Sequence, residues 1–74
     1  MDLVIKINVD NEAFDIMPER ECAALLEGVI SGIEGGDVYG KLMDINGNTV
    51  GYWAFAEDAA DLEGIKEDLG WIDE

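Results

Sequence analysis

The patterned segments predict an α+β domain in the order β-α-β-β-α, a three-stranded sheet with helices packed on one face. Three observations carry this expectation. An alternating run opens the chain at 2–9, an apolar stripe of helical period crosses 18–34, and two further strand-like runs flank Asn46-Gly47. A chain of 74 residues makes one domain, 1–74, with a modest core.

Residues 2–9 place Leu3, Ile5, Ile7 and Val9 on one side and Val4, Lys6 and Asn8 on the other. That period of two, with β-branched residues, is a strand. Asp10, Asn11 and Glu12 end it, and Phe14 is expected to pack under the helix that follows. In 18–34, Cys22, Leu25, Leu26, Val29, Ile30 and Ile33 share one helical face. Pro18 suits the first helical position, where its missing N–H is not needed. Glu19 and Glu21 complement the dipole of the first turn, and Gly35-Gly36 stops the helix. Arg20, Glu27 and Glu34 form its wet side.

Residues 37–45 and 48–56 read as a hairpin around Asn46-Gly47. A two-residue loop mixes apolar residues on both faces. A three-residue loop with Gly47 left-handed pairs Asp44 with Asn48 and puts Val38, Leu42, Val50, Tyr52 and Ala54 on one buried face. This register is preferred. Tyr39, Lys41, Met43, Trp53 and Phe55 then share the opposite face. That aromatic stripe is either covered by the C-terminal segment or a second subunit, or it is a contact surface.

The last helix follows Asp58, which can cap it with Asp61 three residues on. Leu62, Ile65 and Leu69 form its apolar stripe, Gly70 ends it, and Trp71 and Ile72 are expected to fold back as an anchor.

Eighteen acids face four bases, for a net charge of −14. Within 57–74, eight carboxylates against Lys66 alone leave −7, half of the total in about a quarter of the length. Such a field repels nucleic acid and anionic membrane and attracts basic protein surfaces. It also exceeds what solubility requires, since a magnitude of roughly 2–8 suffices for a small domain. A hydrophobic content of 49% separates the chain from disordered acidic tails. No apolar run is long enough to span a bilayer, and the first residues do not read as a signal peptide, so a cytoplasmic location is expected.

The residue inventory argues against an enzyme. There is no histidine, and Ser31, Thr49 and Cys22 each stand alone of their type. Hydroxyl or thiol nucleophiles therefore have no imidazole base. Cys22 lies on the apolar face of the first helix and is expected in the core. Asp44-Ile45-Asn46-Gly47-Asn48 is superficially like a calcium loop, but its glycine is fourth instead of sixth, and Phe55 stands where the loop's glutamate belongs. No metal or other cofactor is expected. The four bases are dispersed, so direct nucleic-acid binding is not expected either.

The run Asp10-Asn11-Glu12-Ala13-Phe14, then a helix, Gly35-Gly36, and Leu42-Met43-Asp44-Ile45-Asn46-Gly47-Asn48-Thr49-Val50-Gly51, resembles small phage- and prophage-encoded proteins. These share a D-N-x-A-F opening and an L-x-D-x-N-G-N-x-V-G hairpin. The resemblance covers roughly 3–53, and its motifs are turn and cap chemistry, so it implies a scaffold more than an activity. The acidic stretch after Ala56 is where this chain departs from it. By charge and class, not by motif, the chain also resembles acidic anti-CRISPR and anti-restriction inhibitors that imitate DNA.

That class implies a host-cell inhibitor blocking target-DNA or PAM binding. Its expected partner is the basic DNA-binding surface of a CRISPR effector or restriction enzyme. Asp58, Asp61, Glu63, Glu67 and Asp68 are the candidate phosphate mimics, assisted by Asp73 and Glu74, with Trp71 or Trp53 as apolar anchor. The alternative is a non-enzymatic phage assembly or interaction module, using Tyr39, Trp53 and Phe55 to form a homodimer or dock a structural protein. Monomer and homodimer both stay open.

Overall fold

The computed structural model describes residues 1–10 and 12–71. Strand β1 spans Asp2–Ile7, helix α1 Pro18–Glu34, strand β2 Tyr39–Met43, strand β3 Thr49–Ala56 and helix α2 Ala59–Leu69. A short 3-10 turn, Glu12–Phe14, leads into α1 and buries Phe14. The expected α+β class and β-α-β-β-α order are those observed. The sheet is antiparallel throughout, in the order β1-β3-β2.

The placing of the helices is a correction. They do not share one face. Gly32 of α1 sits against the Trp53 indole, while Trp71, just after α2, stacks edge-on to Tyr52 with ring centroids 5.3 Å apart. Adjacent strand residues point to opposite faces, so α1 and α2 enclose the sheet from either side. The reason lies in β3. From Thr49 to Ala56 it carries no charge, and most of it is buried. A central strand that is apolar on both faces needs a cover on both.

The hairpin turn forms as expected. The Asp44 N–H donates to the Asn48 carbonyl at 2.9 Å, and Gly47 takes φ +83°. Asp44 organises the turn, its side chain accepting from the backbone N–H groups of Asn46 and Asn48. The expected strand faces are overturned by an irregularity one step later. Met43 pairs with Thr49 but Leu42 with Gly51, so Val50 is an extra residue in β3. Such a bulge exchanges the faces beyond it. Leu42 joins Trp53 on the α1 side, while Tyr39 and Lys41 join Ala54 and Tyr52 on the α2 side.

The core centres on Val29, Leu42 and Trp53, with Ile7, Leu25 and Phe55 packed around them. Trp53, 2% exposed, lies between two glycines. A Cβ on Gly32 would come within 2.7 Å of Trp53 Cζ2, and one on Gly40 within 2.6 Å of Nε1. Both spacings are shorter than real contacts allow, so the indole occupies space that only glycine leaves. The apolar stripe of α1 is only partly used. Val29 is buried and Cys22 and Leu25 are half-buried, but Leu26, Ile30 and Ile33 are exposed. Cys22 is thus a half-buried free thiol instead of a core residue.

Candidate functional site

Helix α2 has its own local logic. Asp58 Oδ1 accepts the Asp61 N–H at 2.8 Å, and Asp61 Oδ2 accepts the Glu57 N–H at 2.9 Å. This reciprocal pair satisfies one donor that the helix start leaves open, the Asp61 N–H, and ties down the N–H of Glu57 just before the cap. At the other end Gly70 takes φ +73°, and the N–H groups of Gly70 and Trp71 return to the carbonyls of Glu67 and Lys66. The helix lies on the sheet through Leu62, Ile65, Lys66 and Leu69, so it does not project from the domain.

The candidate acids divide by what they already do. Asp58 and Asp61 are exposed but occupied as caps. Glu63 accepts from Lys66 Nζ at 3.0 Å. Glu67 and Asp68 are exposed on the solvent side of the helix. Asp73 and Glu74, like Ile72, lie outside the described residues. The caps fix where the helix starts, and the Tyr52–Trp71 contact fixes where it ends, so the acids are carried on a positioned rod.

Neither tryptophan is a free anchor. Trp53 is core, and its assignment as a partner-binding residue is corrected: the indole is enclosed by α1, Gly40 and Phe55, whose ring centroid lies 6.2 Å away. Trp71 is half-buried on Tyr52. The proposed aromatic surface of Tyr39, Trp53 and Phe55 is likewise not a surface. The bulge puts Tyr39 on the α2 side, while Trp53 and Phe55 face α1.

Two features of this region escape sequence reading. The first is Lys66, 8% exposed, which occupies the sheet-facing side of α2. Its stem lies beside Tyr52, with Nζ 6.0 Å from the ring centroid, and its tip reaches Glu63. Its position four residues after Leu62, in line with the apolar stripe, is the available signal. The second is where the cations fall. Lys6 and Lys41 both pair with Tyr52 across the sheet, so they share the α2 side with Lys66. Only Arg20 lies on α1, which presents exposed Glu19, Glu27 and Glu34 to solvent. Negative charge therefore covers both outer layers, and the α1 layer is less offset by cations than the α2 layer.

Among the described residues no group of three histidine, cysteine or acidic side chains is placed to hold a metal ion. No described helix is long and apolar enough to cross a membrane. A depression of about 450 Å³ near the start of α1 is lined by Ile16, Met17 and Ile45 with Glu12, Arg20 and Glu21. It joins apolar and charged side chains. Comparison with protein-family models, with curated proteins and with solved structures finds no match.

Proposed function

We propose that this protein is a non-enzymatic inhibitor of phage type that imitates the charge of DNA. In this reading it acts in the host cytoplasm and occupies the basic DNA-binding groove of a defence complex, a CRISPR effector or a restriction enzyme, excluding target DNA. The observation that carries the reading is a charge of −14 held on a folded plate. The plate measures 35 × 30 × 18 Å. Duplex DNA carries one charge per roughly 1.7 Å, so a 35 Å length presents about 20. The two charge densities are of the same order.

Glu63, Glu67 and Asp68 are the main contacts in this proposal, with Asp58 and Asp61 adding charge while they cap the helix. One exposed ion pair contributes only about 0–1 kcal/mol. Binding must therefore sum many pairs, and Glu19, Glu27 and Glu34 on the opposite layer extend the array.

The test is displacement of labelled DNA from purified CRISPR effectors and restriction enzymes at two salt concentrations. The expected result is displacement in at least one system, weakened by salt. Glu67→Lys with Asp68→Lys, and then Glu63→Lys added, should reduce it stepwise to nothing. Undiminished displacement by the folded triple variant would overturn the assignment of the site to α2.

A further inference from the structure

We propose that β1 is a self-pairing edge, at which a second copy of this chain adds antiparallel about a two-fold axis through Val4. This goes beyond the inhibitor reading and does not depend on it. β1 is an outer strand of the sheet, and no other described strand lies beyond it. The Asn8 N–H donates to the Val50 carbonyl on β3 at 2.7 Å. Backbone direction alternates along an antiparallel ladder, so Val4 and Lys6 also turn their backbone groups to β3. Leu3, Ile5 and Ile7 turn theirs outward. The same residues carry the apolar side chains, and α1, seated on β2, leaves Leu3 45% and Ile5 40% exposed. An apolar edge of this kind is a template for another strand.

The sequence of the strand selects the occupant. Read against itself antiparallel about Val4, DLVIKI sets Asp2 opposite Lys6 of the second copy, Leu3 opposite Ile5, and Val4 opposite Val4. Each opposition of unlike residues occurs twice by symmetry. Leu3 and Ile5 are the residues with outward backbone groups, so they form the hydrogen-bonded pairs, and Val4 falls at the closer non-bonded pair. Asp2 and Lys6 are exposed and lie on one face, in line with Ala56 and Tyr52. Two ion pairs thus meet across the join, which favours this register over a slipped one. The other edge, β2, offers no such match, because Lys41 is its one charged residue. The product is a six-stranded sheet with both acidic layers doubled in length.

Sedimentation of the full chain from micromolar to millimolar concentration tests this. The expected mass at the upper end is twice 8.1 kDa. Asp2→Lys and Lys6→Glu should each weaken the dimer roughly ten-fold by setting like charges opposite one another. An equimolar mixture of the two variants should recover it as a mixed dimer, because position 2 of each chain then faces an opposite charge at position 6 of the other. Net charge alone predicts something different: the first variant would associate more tightly and the second less. Both positions are exposed, so circular dichroism should show an unchanged fold. A wild-type chain that stays at 8.1 kDa up to millimolar concentration, or single variants that dimerise as tightly as wild type, overturns the proposal.

Discussion

Tyr52 and Trp53 are neighbours on β3, yet they hold different layers in different ways. On the Trp53 side, α1 is seated by shape: an indole fills the gap left by Gly32 and Gly40. On the Tyr52 side, α2 is seated by local chemistry: reciprocal aspartate caps, a glycine stop, and Lys66 laid along the ring. The first layer concentrates buried apolar contact in a few residues, and its helix leaves Leu26 and Ile30 outside. The second spreads its support over several exposed bonds of about 1 kcal/mol or less each. Stability should therefore be most sensitive on the α1 side. Charge on α2 can be changed more freely, provided the caps are spared.

This contrast can be broken most severely at Trp53. Trp53→Ala removes the centre of the core and should cost about 3–5 kcal/mol. For so small a domain that is enough to unfold much of the population, and urea denaturation would show it. Next is Gly32→Ala, whose methyl meets the indole edge and should cost about 1–3 kcal/mol. In a Trp53→Leu background the same change should cost much less, and equal costs in both backgrounds would refute the glycine slot. On the other side, Asp58→Ala should cost about 1 kcal/mol through the lost cap. Glu67→Gln with Asp68→Asn should move stability by no more than about 0.5 kcal/mol. A larger loss from this last pair than from Asp58→Ala would reverse the view of which acids are structural.

The same distinction separates acids that read as function from acids that fold the chain. Asp58 and Asp61 lie in the acidic stretch, yet they are engaged with backbone N–H groups, so reversing them confounds binding with helix loss. Glu67 and Asp68 give the cleaner probe. Lys66 illustrates the reverse case. By type it belongs outside, and its long stem let it be drawn under α2 with only its tip near Glu63.

Local chemistry was readable from the chain itself, because each device is completed within a few residues. The bounds of α1 follow from Pro18 and Gly35-Gly36, the turn from Asp44, Asn46 and Gly47, and the start of α2 from Asp58 and Asp61. Composition likewise determined the net charge and the lack of an imidazole base. What needed the tertiary structure was every relation across strands. One extra residue at Val50 exchanged the faces of β2 and dissolved the expected aromatic stripe, and α1 closing on Gly32 buried Trp53. The placing of α1 and α2 on opposite faces was decided by the need to cover β3 on both sides. Register and layer depend on partners far apart in the chain, and a period of two leaves a single-residue slip invisible in either strand alone.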